Sequence, residues 1–189
     1  MEGGAERVVH ALKFRGAFAL GNPMGRAMAP GARALVRRAG QDAVRSDGHG
    51  DSTRPGTGGG RIPRPGGPFL VPVPLAAARL RERGYNQAEL LARGLARATG
   101  WPVRRLLRRR GGGRRQARLG RRARRRNVEG RFFARSPGPG AGDGVAVLVD
   151  DVLTTGATAG ACGRALEEAG IPVAGVVVFA RALQPLGHG

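Results

Sequence analysis

Cysteine is nearly absent from this chain of 189 residues: Cys162 is the only one, so no internal disulfide can form, and thiolate-rich metal sites are excluded. The three histidines, His10, His49 and His188, lie too far apart for metal-ligand spacing, so no zinc is expected. Aromatic residues make up 4% of the chain, and none interleaves the arginines between Trp101 and Phe132 as a single-strand stacking platform would require, so sequence-specific reading of bases is unsupported. Long apolar runs are missing too. The longest, Val173 to Ala180, is far shorter than a bilayer span, so no membrane insertion is expected. Met1-Glu2-Gly3-Gly4 leads into a charged amphipathic stretch and not into a secretory signal, which makes the cytoplasm the expected location.

Acids are scarce and lysine scarcer. The formal charge is +20, with 13 acidic residues and Lys13 the only lysine, so nearly all the positive charge is arginine. That combination, with abundant Gly and Ala, is what a GC-rich genome would encode, and the choice of Arg over Lys says little. The shortage of acids says more: it favours phosphate-rich partners, nucleotides or nucleic acid.

The most informative stretch is Val145 to Thr158, VAVLVDDVLTTGAT. Val145 to Val149 reads as a buried parallel strand, and Thr158 onward to Gly170 as the following helix. The loop between them lies at the carboxyl end of a strand. Ligands bind there in open α/β sheets, and a helix start offers unpaired N–H groups and a positive dipole end to an anion. Gly156 and Ala157 let the backbone come close to a phosphate, and the hydroxyls of Thr154, Thr155 and Thr158 add donors. Asp150 and Asp151 would repel that phosphate at contact range. They suit a neighbouring group instead, either vicinal ribose hydroxyls or a divalent cation carried by the ligand.

Along the chain, apolar positions between Arg7 and Arg38 recur at helical spacing and break near Gly21-Asn22-Pro23, which predicts a pair of helices in a segment spanning residues 1–39. Residues 40–68 collapse into Gly, Pro, Ser, Thr, Asp and Arg and read as a disordered low-complexity insertion. A main domain over residues 69–183 and a tail over 184–189 complete the division. Phe69 to Leu75 predicts a short strand, and Asn86 to Thr99 a helix that stops at Gly100, with Leu90, Leu91 and Leu95 on one face. Arg104 to Arg135 holds fifteen arginines against one acid, Glu129, and reads as a mobile loop: a lid over a ligand, a nucleic-acid tether, or a solvated basic surface. Arg131 to Ala134 and Ile171 to Ala180 supply further strands. Strands alternating with helices indicate an α/β fold with a parallel sheet.

The segment Arg79 to Gln87 also follows a strand and precedes a helix. If the two strand ends are neighbours, Arg79 and Arg83 would face the first loop across a cleft, where arginine forks match diphosphate oxygens and Gly84 permits close approach. A solvated basic turn with Asn86 as an N-cap is the alternative.

With these residues in view, the chain resembles the ComF family, a competence-associated branch of the type I phosphoribosyltransferases. Four blocks carry the likeness: Ala11 to Gly16; Val71 to Leu75 continuing through Arg79, Arg83-Gly84-Tyr85-Asn86-Gln87 and Leu90; the spacing of Gln116, Leu119, Arg124, Asn127 and Phe132; and Ala146 to Thr158, which is similar to the phosphoribosyl diphosphate (PRPP) motif. The family's Cys-rich opening has no counterpart here.

The resemblance implies a Rossmann-like parallel sheet of type I phosphoribosyltransferase architecture, with helices at the N-terminus. It implies that Asp150 and Asp151 hold the ribose hydroxyls of PRPP, that Thr154, Thr155, Gly156, Ala157 and Thr158 cradle its 5-phosphate, and that Arg79, Arg83, Gly84 and Asn86 meet its diphosphate. It further implies a flexible loop across Arg104 to Asn127, with Arg109, Gln116, Arg124 and Asn127 as its candidate residues, closing over Mg2+-bound PRPP. Phosphoribosyl transfer to an acceptor, linked to DNA uptake, is the function that follows. A non-catalytic accessory protein that binds single-stranded DNA and retains PRPP binding stands beside it as the alternative.

Overall fold

The computed structural model describes residues 18–46, 66–110, 132–135 and 144–181. Among these the chain is mixed α/β, with a three-stranded parallel sheet, a two-stranded ribbon and five α-helices. A 3-10 turn, Phe18–Leu20, leads into α1 (Gly21–Ala27) and α2 (Ala29–Ser46). There follow β1 (Pro68–Pro72), α3 (Ala77–Arg83), α4 (Gln87–Thr99), β2 (Leu107–Arg109), β3 (Phe132–Ala134), β4 (Val145–Leu153), α5 (Ala157–Glu168) and β5 (Val173–Arg181). No helix among the described residues is long and apolar enough to cross a membrane.

The sheet order is β1-β4-β5, all parallel, with Pro72 opposite Val149 and Asp150 opposite Val178. Side chains alternate across a strand, and here the alternation splits the core in two. Ala146 and Leu148 face Cys162, Ala165 and Leu166 of α5 together with Leu107 and Phe132 of the ribbon. Val147 and Val149 face the other way, into a layer built by Met24 of α1, Met28 at the break, Ala32 of α2 and Leu91 and Leu95 of α4. The N-terminal helices are therefore one face of the sheet and share its core.

Glycine makes the α1–α4 contact close. A Cβ on Gly94 would lie 2.5 Å from the Asn22 carbonyl oxygen and 2.9 Å from the Gly21 oxygen. One placed on Gly25 would strike the Leu91 oxygen and lie 2.8 Å from the Leu95 nitrogen. Only hydrogen at these positions lets the two backbones touch.

Several sequence expectations change. Gly21-Asn22-Pro23 opens α1 where a break was expected, because a proline in a first turn has no intrahelical N–H to lose; the break falls at Met28, and Pro30 likewise sits in the first turn of α2. Helix α2 runs to Ser46, past residue 40 where the low-complexity insertion was placed; residues 47–65 lie outside the described residues. The basic stretch after Trp101 begins as structure: Leu107–Arg109 pairs antiparallel with Phe132–Ala134, so Arg109 is a strand residue and not part of a loop. The tail at 184–189 falls outside the described residues.

Topology fixes where a ligand could sit. After α4 the chain returns beside β1 on its outer side, where Val103 bridges Leu70 in parallel, with Leu70 N donating to Pro102 O and Arg104 N to Leu70 O. It then passes to β4 on the opposite side of β1. The connections leaving β1 and β4 thus run to opposite faces of the sheet, α4 to one and α5 to the other. Such a reversal opens a crevice at the carboxyl ends of the two strands.

Candidate functional site

The two loops singled out in the sequence flank this crevice. β1 and β4 are paired neighbours, and Val73 N donates to Val149 O at 3.0 Å just past the end of β1. The segment carrying Arg79 to Gln87 and the Thr154–Gly156 loop accordingly leave the carboxyl ends of neighbouring strands, with β4 running four residues past the last pair with β1.

The loop after β4 is shorter than expected. β4 continues through Leu153, pairing with β5 as far as Arg181, so Asp150 and Asp151 belong to the strand and the connection is Thr154 to Gly156 alone. Pairing with a partner strand overrides the low strand preference of aspartate. Asp150 Oδ1 accepts from Asp151 N at 2.9 Å, and Asp151 Oδ1 accepts from Val152 N at 2.8 Å, which ties each half-buried carboxylate to its own strand.

The acids are not equivalent. Alternation from Leu148 puts Asp150 on the α5 side, although Val152 packs in the opposite layer with Val147 and Val149, so the alternation does not run unbroken to the end of β4. The charge pattern agrees for Asp150. Burial pushes the Cys162 thiol up to about 12, the Asp150 carboxylate adds to the rise, and the Arg109 guanidinium opposes it. Asp150 and Arg109 therefore both lie within electrostatic reach of Cys162. Cys162 itself is a fully buried core residue.

Gly156 sits at φ 73°, a left-handed conformation that the Cβ of other residues disfavours, and it is the N-cap of α5 without any side-chain cap. The hydroxyl of exposed Thr155 accepts from Ala157 N at 3.4 Å. Thr154 is exposed and Thr158 half-buried in the first turn of α5. By contrast, α4 starts at the same sheet edge with its own cap in place: Asn86 Oδ1 accepts from Ala88 N at 3.1 Å. Of the two helix starts, that of α5 is the one left for an external anion.

Asn86, expected beside the diphosphate, has its side chain engaged within the fold. Its Nδ2 donates to Val73 O at 3.0 Å while its Oδ1 caps α4, so the side chain braces the helix against the end of β1. Gly84 closes α3 at φ 76° and gives its N–H to Leu80 O at 2.8 Å, so it serves helix termination. Arg79 is exposed on α3 and Arg83 half-buried in its last turn.

Four of the described arginines after Trp101 are held against other groups. Arg104 lies over the Phe69 ring at 4.2 Å, Arg109 over Phe132 at 5.2 Å and Arg110 over Phe133 at 4.5 Å. Arg105 pairs with Glu89, which also holds Arg93 at 2.9 Å. Burial pushes Glu89 up, but the hydrogen bonds and charges of Arg105 and Arg93 outweigh it and hold the carboxyl below its ordinary value. Gln116, Arg124 and Asn127 lie outside the described residues. Sequence reasoning did not anticipate the ring contact between Phe18 and Tyr85, 4.4 Å between centroids, although Tyr85 is the only tyrosine and sits beside Gly84.

A cavity of about 620 Å³ lies away from this edge, between β3 and the outer face of α5, lined by Phe132, Phe133, Ala161, Arg164, Ala165 and Glu168. The crevice is defined by strand ends and loop chemistry and not by enclosed volume. Compared with models of protein families and with curated proteins, the chain matches none.

Proposed function

We propose that the chain is a PRPP-binding protein of the phosphoribosyltransferase kind, with a Rossmann-like sheet of the type I architecture, related to the ComF proteins that it resembles. One observation carries this reading: the Asp-Asp-x-x-Thr-Thr-Gly-Ala-Thr run and the Arg79–Arg83 helix flank the crevice where connections diverge from β1 and β4. In open α/β sheets that position binds phosphorylated ligands.

The 5-phosphate takes the start of α5, where Gly156 leaves no side chain in the way and Thr154, Thr155 and Thr158 supply hydroxyls. Asp150 and Asp151 accept from the ribose hydroxyls. Arg79 and Arg83 meet the diphosphate from the β1 side, and Arg109 approaches from the Asp150 side. Displacement at C1 by an acceptor nucleophile breaks the bond to diphosphate through an oxocarbenium-like transition state, so these residues contribute alignment and charge stabilisation. Among the described residues no three His, Cys, Asp or Glu side chains converge, so two carboxylates are the protein's share of any Mg2+ site there. The donor set fits an ion that enters bound to phosphate oxygens, where it would supply charge neutralisation of the leaving group.

The arginine-rich ribbon favours a second reading, a single-stranded DNA tether that retains PRPP binding, because Arg108 and Arg110 are exposed on it and the chain carries +20. Calorimetric titration of Mg-PRPP into wild type and the Asp150→Ala/Asp151→Ala variant separates the two, with single-stranded DNA titrated at low and high salt in parallel. PRPP heat present in wild type and lost in the variant supports the proposal. Negligible PRPP heat in both proteins would sink it, and DNA affinity that drops steeply with salt and ignores PRPP would favour the tether.

A further inference from the structure

Helix α3 carries Arg79, Arg81 and Arg83 yet buries none of its side chains, and even Leu80 is 42% exposed. A seven-residue helix without a buried face is not held by its own packing. Its two ends tie it to the rest of the fold. At the first, residues 73–76 join it to β1; at the second, Gly84 and Tyr85 join it to α4, whose cap Asn86 is braced to Val73 O. Tyr85 is met there by Phe18, with ring centroids 4.4 Å apart and planes at 59°. That tilted contact sits at the short edge of the separations aromatic pairs favour.

Phe18 is itself anchored. It belongs to the 3-10 turn that runs straight into α1, and α1 is locked on α4 by backbone contact at Gly21, Gly25 and Gly94. Yet the Phe18 ring is 55% exposed and belongs to neither half of the core. An exposed aromatic ring on a rigid base, set against a loop residue beside a left-handed glycine, restrains that loop more than it stabilises the fold.

We propose that Phe18 is a positioning residue: through Tyr85 it holds the α3–α4 loop and so aims the basic helix α3 at the crevice. The inference rests on the reading of α3 as the diphosphate arm, and it makes the N-terminal helical segment part of the site.

The test uses Phe18→Ala, Tyr85→Leu and Phe18→Tyr in the full chain. Hydrogen exchange over residues 77–86 without ligand reads the restraint, and calorimetry with Mg-PRPP and with ribose 5-phosphate reads its effect. Phe18→Ala and Tyr85→Leu should exchange faster in that segment and bind PRPP about three- to tenfold more weakly. Ribose 5-phosphate, which lacks the diphosphate, should bind as in wild type, and Phe18→Tyr should behave as wild type throughout. Unchanged exchange in both ring-removing variants overturns the proposal, as does equal weakening of both ligands, which would mean general loosening. Faster exchange in a protein whose wild type does not bind PRPP supports the restraint and removes the PRPP reading instead.

Discussion

Adding one methyl group at Gly94 should unfold this protein more easily, although alanine is the better helix former. In α4 the substitution gains about 1 kcal/mol of helix propensity. Against that stands the new Cβ, 2.5 Å from the Asn22 oxygen, 2.9 Å from Asn22 Cα and 2.9 Å from the Gly21 oxygen. All three are backbone atoms of α1, which cannot rotate aside as a side chain would. An ordinary carbon–oxygen contact is roughly 3.3 Å, so α1 must retreat by about 0.8 Å. A gap of that size under Met24 and Met28 forfeits up to about half of their dispersion contacts with the layer below. Overpacking of this kind costs about 1–3 kcal/mol, and with three backbone clashes the upper end applies, leaving a net loss of ~2 kcal/mol. Gly163→Ala is the control. It lies inside α5, where a Cβ would meet nothing within 4 Å, and it should gain up to ~1 kcal/mol. In a chain of this length the midpoint should fall by about 4–8 °C for Gly94→Ala and rise by about 1–4 °C for Gly163→Ala. Thermal melts read by circular dichroism and by Trp101, the only tryptophan, which packs against the α1–α4 layer, provide the measurement. A Gly94→Ala midpoint at or above wild type would refute the close-packing argument.

Asn86→Ala removes the α4 cap and the brace to Val73 O together, and should destabilise by roughly 1–2 kcal/mol in urea titration. Asn86→Asp keeps the cap acceptor but loses the Nδ2 donor, so it should recover only part of that loss; full recovery would show that the brace contributes nothing. Cys162 gives a pH dependence. Its folded value of about 12 lies above its ordinary 9.0, so the unfolded chain releases the thiol proton first as pH rises. The stability it contributes is complete below pH 9 and is lost progressively toward pH 12, up to an order-of-magnitude limit of ~4 kcal/mol. Cys162→Ala should flatten that alkaline limb relative to wild type, and alkylation at neutral pH should be slow until the chain is unfolded. Rapid alkylation of the folded protein would contradict the burial.

Elements with a dense local signal were legible in the sequence. Val145 to Val149 is an uninterrupted apolar run, and α4 is bounded by Asn86 and Gly100, a capping residue and a left-handed stop, so its limits follow from side-chain chemistry. Long-range pairing left no such trace. β4 extends through two aspartates because β5 lies alongside it, and β2 is a strand of Leu-Arg-Arg only because Phe132–Ala134 comes back across from it. Composition describes a residue's own preference, and in both cases a distant partner decided. Pro23 was misleading for a different reason. The same missing N–H that breaks a helix interior is harmless in a first turn, and only the position of Leu20 as N-cap tells the two apart.

The candidate site shows the same division. Its residue types were readable, because a strand end followed by small and hydroxylated residues suits a phosphate wherever it occurs. Its handedness was not. Whether the two loops share a crevice depends on Val103 lying on the outer side of β1, a single parallel bridge that no local pattern encodes. Had Val103 fallen between β1 and β4, the loops would stand one strand further apart, about 5 Å, and the connections would no longer diverge at their shared edge. Adjacency also separates the roles of the aspartates. Both belong to a paired strand, and of the two it is Asp150 whose carboxylate adds to the rise of the Cys162 thiol. Single substitutions should accordingly differ: Asp150→Asn lowers the Cys162 thiol by removing its carboxylate neighbour, and Asp151→Asn leaves it in place. Equal thiol titration curves in the two variants would refute this distinction between the aspartates.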